Sequence, residues 1–144
     1  MTNDEVLKAL HQVELDVLLD IDAFCREHQI AWWLDSGSAL GAARHGGFIP
    51  WDDDVDIAMP RADYDRFCKL VSDGLLPGCI LHNTHNTPGF APLFSKICVE
   101  GTRFETEETR AAGYKQGIFI DVFPYDETFK DASKSSLQFR QAAM

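Results

Sequence analysis

Apolar residues near the start of the chain recur at steps of three and four: Val6, Leu10, Val13, Val17, Ile21 and Phe24. That period lays one apolar stripe along an amphipathic helix, opened by Asn3 with Asp4 and Glu5 in its first turn. Residues 30–34 then read as a buried strand. It runs into the small-residue turn Asp35-Ser36-Gly37-Ser38 and a short helix-forming stretch over 39–44. From Asp54 the pattern alternates, with Asp54 and Asp56 polar and Val55 and Ile57 apolar, as a strand with one polar face would, until Pro60 ends it. Arg61–Ser72 places Tyr64, Phe67, Cys68 and Val71 on one helical face, with Gly74 just beyond. Further strands are predicted at 79–81, 93–99, 102–105 and 117–123, separated by Pro88-Gly89, Gly101 and an acidic loop. The order predicts an α/β (α+β) fold, a mixed sheet flanked by helices, in a single domain over 1–144.

The acids carry the candidate chemistry. Asp54 and Asp56 share one side of their strand, and two such carboxylates repel each other unless a cation lies between them; oxygen-only ligands suit a hard ion such as Mg²⁺. A solvated acidic turn is the alternative. Against it, the run is embedded among Phe48, Ile49, Trp51, Val55, Ile57, Ala58 and Met59, and buried acids need partners. Upstream, the strand, tight turn and helix start leave backbone N–H groups and the positive end of a helix dipole free for an anion. There Gly37 would permit close backbone approach, and Ser38 would either cap the helix or donate to a phosphate.

Asp121 sits in a strand otherwise apolar on both faces, where it either caps the Pro124-Tyr125-Asp126 turn or serves the site. Strand alternation assigns Asp53 to the face opposite Asp54, leaving Asp52 and Asp53 as turn or supporting residues. Arg44 and His45 at the end of the short helix, and Lys96 within an apolar strand, either meet a phosphate or pair with surplus acids. Arg103 is a further candidate.

Composition narrows the partners. Of 144 residues 45% are hydrophobic, enough for one core, while 13 basic against 23 acidic residues give a net charge of −10. That balance opposes binding to nucleic acid or an anionic membrane surface. No apolar run approaches the roughly 20 residues that span a bilayer, and the N-terminus lacks a basic-then-apolar signal, so the expectation is a cytoplasmic protein with no transmembrane segment. Cys25, Cys68, Cys79 and Cys98 form no close pair and are expected as reduced thiols. His82-Asn83-Thr84-His85 lacks a completing ligand set for zinc and reads as a polar loop.

The segments Gly37-Ser38, Leu40-Gly41-Ala42-Ala43-Arg44-His45 and Gly47 through Asp56, with a second block from Gly117 to Pro124, resemble the LicD family. The resemblance implies a nucleotidyltransferase-like fold of the polymerase-beta type. It implies that Asp54, Asp56 and Asp121 are both the catalytic residues and the ligands of Mg²⁺ or Mn²⁺, with two ions holding a donor diphosphate, and that Gly37, Ser38, Arg44, His45 and Lys96 bind substrate. The implied reaction moves phosphocholine, ribitol phosphate or a similar phospho-alcohol from a CDP-activated donor to a hydroxyl of a glycan or glycolipid (lipopolysaccharide, teichoic acid or capsule), at the inner face of the membrane through the acceptor. The family pattern ends near Asp126, so the domain is expected to be cut short at its C-terminus, binding donor but failing to transfer it, with at most slow hydrolysis of the donor. Two alternatives stay open: nucleotidyl transfer to a small molecule or protein, and a non-catalytic metal- or nucleotide-binding subunit.

Overall fold

The structure, a computed structural model, describes residues 1–105, 107–111, 113–128 and 130–142. Helix α1 (Asn3–His28) is followed by strand β1 (Trp33–Leu34), helix α2 (Ser36–His45), strand β2 (Asp56–Pro60) and helix α3 (Arg61–Ser72). Then come β3 (Cys79–His82), β4 (Ser95–Val99), the short α4 (Glu107–Arg110), β5 (Phe119–Tyr125) and α5 (Ala132–Ala142). The five strands form one mixed sheet in the order β1-β2-β5-β4-β3. Only β2 and β5 run parallel; the other neighbours are antiparallel. The α/β reading and the flanking helices therefore hold.

Helix α1 begins one residue earlier than its acids suggested. Thr2, not Asn3, is the cap: its side chain accepts from the Glu5 N–H at 3.2 Å, and Glu5 accepts from the Thr2 N–H at 2.8 Å. This reciprocal pair satisfies two otherwise orphaned donors. At the other end Gln29 turns left-handed (φ 56°) and the Ile30 N–H returns to the Cys25 carbonyl at 2.8 Å. That closing turn consumes the start of the strand predicted over 30–34. Only Trp33 and Leu34 remain to pair, with Ala58 and Ile57 of β2.

The core lies between the sheet and helices α1 and α3. Ile57 and Val122, then Ile97 and Ile120, alternate onto this face, where Ile21, Phe24, Phe67 and Val71 meet them, all nearly inaccessible. Pro60 does end β2, and α3 starts at the next residue. Two strand predictions shift. Leu93 is 82% exposed, so β4 begins only at Ser95. No strand forms over 102–105, because the Thr102 hydroxyl donates to the Val99 carbonyl and accepts from the Ile118 N–H, both at 2.8 Å, holding a turn instead of a ladder. None of the described helices is long and apolar enough to cross a membrane, and the four cysteines are free thiols.

Helix α2 is seated by the absence of a side chain at Gly41. A Cβ there would lie 2.5 Å from the Gly47 carbonyl oxygen and 3.0 Å from the Ile49 nitrogen, both backbone atoms that cannot swing aside. Gly41→Ala is therefore expected to destabilise the protein by about 1–3 kcal/mol through overpacking, despite roughly 1 kcal/mol of gained helix propensity. Urea unfolding checks this; an unchanged or higher midpoint would mean that the 46–49 turn yields freely.

Candidate active site

The sheet brings polar residues into a single row. Asp56 on β2 pairs with Asp121 on β5, Asp121 with Lys96 on β4, and Lys96 with His82 on β3. Directly opposed residues point to the same face, so this row lies on the side away from the core. Asp54 precedes β2 by two residues and joins the row's acidic end. One carboxylate oxygen from each of Asp54, Asp56 and Asp121 lies within 4.8 Å of the others. Asp121 is not a strand-end cap, since β5 continues to Tyr125.

Crowding like charges in a half-buried position makes ionisation costly. Burial first, and then Asp56, push Asp54 up to about 7; burial and then Asp121 push Asp56 up to about 6. Asp121, 8% exposed, is also raised by burial, against the opposing pull of Lys96. The Lys96 ammonium lies 2.8 Å from Asp121 Oδ1 and 3.6 Å from the centre of the Phe119 ring. An all-oxygen set of three mutually repelling carboxylates fits a hard divalent ion, whose charge would relieve the repulsion.

Helix α2 carries the other residues named from the sequence. Its N-terminus is anchored at the acids. Ser38 does not cap the helix: its Oγ accepts from the Asp56 N–H at 2.9 Å, joining helix to strand. Asp35 occupies the cap position without a side-chain cap bond and accepts from the Tyr125 hydroxyl at 2.9 Å. Gly37 faces Asp52, whose Oδ2 would lie 2.9 Å from any Cβ placed there. Arg44 and His45 are exposed at the opposite end, about 9 Å along the axis from Ser38 at the usual rise per residue. His45 meets the exposed Trp51 edge-on. Arg103 pairs with Glu105 at 3.0 Å, outside the row.

Three site features differ from the sequence reading or were missed by it. Residues 52–55 are not in a strand, so period-two alternation does not apply to them. Asp53 consequently does not face away from Asp54: carboxylate oxygens of Asp52, Asp53 and Asp54 lie within 4.8 Å of one another. His82 belongs to β3 instead of a loop; its Nδ1 pairs with the Thr87 hydroxyl at 2.9 Å and burial lowers its pKa. Glu14 was passed over. It is 2% exposed on α1, its Oε2 has no hydrogen-bond partner among the described residues, and burial, followed by Asp54, Asp53 and Asp52, pushes it up to about 8. The sequence carries only a faint signal, because Glu14 lies four residues from Leu10 and three from Val17, on the same face as the stripe, but beside Val13, which completes it. One turn before it, the His11 ring stacks on Phe48 and hydrogen-bonds the Asp52 carbonyl, holding α1 against the acidic turn.

The family model for the nucleotidyltransferase domain of LicD, FKTN and FKRP matches residues 29–143. The chain belongs to this LicD/FKTN/FKRP family. It is 32% identical over 123 residues to the lipopolysaccharide cholinephosphotransferase LicD of Haemophilus influenzae, a match covering 83% of the chain and 44% of that protein. Over 34 residues, 24% of the chain and 7% of the relative, it is 60% identical to the ribitol 5-phosphate transferase FKRP of human and of mouse. An uncharacterized Rickettsia typhi protein is 38% identical over 64 residues, 44% of the chain and 20% of that protein. The chain thus spans less than half the length of these curated relatives. Asp54, Asp56, Asp121, Lys96 and helix α2 lie within the segment that the LicD family model matches, while His11 and Glu14 precede it.

The raised acids make stability depend on pH. Glu14, Asp54 and Asp56 hold protons in the folded state that the unfolded chain has already released, so their contribution is fully present at low pH and is lost as pH climbs through about 6, 7 and 8. Without metal, the melting temperature is expected to fall from about pH 5 to about pH 8, each titrating group adding a slope of at most about 1.4 kcal/mol per pH unit. Glu14→Gln should flatten the upper part of that slope. Thermal melts across this range test both expectations; a flat or rising profile for the unaltered chain would contradict them.

Proposed function

We propose that this chain transfers a phospho-alcohol from a CDP-linked donor to a hydroxyl of a cell-surface glycan. The observation that supports this most is the meeting of three carboxylates, from β2, from the turn before it and from β5, beside the N-terminus of α2. Asp54, Asp56 and Asp121 would hold a divalent ion, Mg²⁺ or Mn²⁺. When bound, it supplies positive charge that draws in the donor diphosphate and stabilises the leaving phosphate.

The chain's own groups do the rest. The first N–H groups of α2, with the positive end of the helix dipole behind them, suit a second phosphate oxygen. Lys96 engages one oxygen of Asp121 and leaves the other for the ion, so a carboxylate oxygen of Asp54 or Asp56 that is not on the ion takes the proton of an incoming hydroxyl. That hydroxyl oxygen forms a bond to the phosphorus carrying the alcohol, the bond from this phosphorus to the bridging diphosphate oxygen breaks, and CMP leaves. No covalent enzyme intermediate is required. The acceptor belongs to a glycan or glycolipid such as lipopolysaccharide, teichoic acid or capsule, met at the cytoplasmic face of a membrane. Arg44 and His45, exposed at the far end of α2, are candidates for distal contacts with the donor.

A second reading, nucleotidyl transfer to a small molecule or protein, draws support from the domain class that the family model names. A donor screen separates the two. CDP-choline, CDP-ribitol and CDP-glycerol are each incubated with the chain, Mg²⁺ and a glycan acceptor, and CMP is measured. At least one is expected to release CMP, and Asp54→Asn or Asp56→Asn should lower the rate at least about 100-fold. Pyrophosphate release from a nucleoside triphosphate, with no CMP from any of the three donors, would replace the first reading with the second.

A further inference from the structure

The Lys96 ammonium sits beside the third carboxylate of the site. It bonds Asp121 Oδ1 at 2.8 Å, and only 16% of its side chain and 11% of that of Asp121 are exposed. Its backbone is fixed directly opposite Asp121 by the β4–β5 ladder. Above it lies the Phe119 ring at 3.6 Å, with Phe94 at 5.6 Å. A lysine held by an ion pair, a strand register and an aromatic face is a built part of the site; withdrawing it would cost the ion pair and the cation–π contact together.

The position of that ammonium limits what else can enter: with Asp52 and Asp53 beside Asp54 the cluster stays negative overall, but the place next to Asp121 is already taken by a positive charge. A second ion would sit beside a fixed ammonium and find one Asp121 oxygen already committed. Resting on the reading of the carboxylates as a metal site, we propose that Lys96 takes the place of a second divalent ion. The site then holds one ion, on Asp54, Asp56 and the remaining oxygen of Asp121. Lys96 is a positioning residue: it fixes the orientation of Asp121 and keeps positive charge beside it throughout the reaction.

The test counts Mn²⁺ bound to the purified chain by equilibrium dialysis and records its electron paramagnetic resonance spectrum, with and without CMP. Each count is taken as the difference from Asp56→Asn, so that ions bound elsewhere on the acidic surface cancel. The expected difference is one ion, with no Mn–Mn coupling at the site. Lys96→Arg, which keeps the charge, should also bind one. Lys96→Met, which keeps the stem on Phe119 but not the charge, should bind two and show coupling. A difference of two ions in the unaltered chain would overturn the proposal while leaving the carboxylate site standing, and so would a Lys96→Met protein that folds and still binds one. A difference of zero would remove the proposal and the metal reading together. Should Lys96→Met not fold, the counts for the unaltered chain and Lys96→Arg decide the matter.

Discussion

Mutual repulsion among acids that the fold forces together is the constraint on which this domain turns. The parallel register of β2 and β5 sets Asp56 beside Asp121, and the turn before β2 adds Asp54, with Asp52 and Asp53 close behind. Glu14 presses on the same cluster from α1 while fully buried. Such an arrangement lowers the stability of the empty fold, and proteins keep strained or frustrated groupings of this kind mainly where function requires them. The large apolar interface among the sheet, α1 and α3 sustains it. Lys96 offsets only part of the charge, at one carboxylate.

The same cluster explains small-residue positions around it. Ser38 gives up its hydroxyl to the first N–H of β2, so the start of α2 and the start of the acidic strand move as one piece. Gly37 leaves room for the Asp52 carboxylate, and Gly41 lets the 46–49 turn lie directly on the helix. These residues need no ligand to justify their size. They bring the positive end of a helix to an acidic strand, the juxtaposition that a phosphate and a cation need in order to bind side by side.

Much of this was legible in the sequence because it rests on local periodicity. The helical stripe from Val6 to Phe24, the face of α3 and the alternation through Asp56 and Ile57 each follow from backbone geometry alone. So does the oddity of a charged Asp121 in an apolar strand. Features set by tertiary context were not legible. The strand after α1 shrank to two residues because the helix cap at Gln29 and Ile30 took the preceding N–H groups. Asp53 turned toward Asp54 because strand periodicity begins two residues later than the charges suggest. Lys96 was suspected for its burial, but its partner depends on which strand neighbours β4, and a single sequence does not fix strand order. Glu14 sits beside Val13 in a stripe that reads as unbroken, and its burial depends on what α1 packs against.

Asp54, Asp56 and Asp121 are proposed to form a divalent-cation site in which a bound ion relieves their mutual repulsion. Calorimetric titration of Mn²⁺ into the unaltered chain and into Asp54→Asn and Asp56→Asn, each also melted without metal, tests it most directly. The account predicts saturable binding to the unaltered chain, its loss in both variants, and metal-free melting temperatures in the variants equal to or above that of the unaltered chain, because repulsion is removed without loss of packing. Undiminished Mn²⁺ binding by both variants would contradict it.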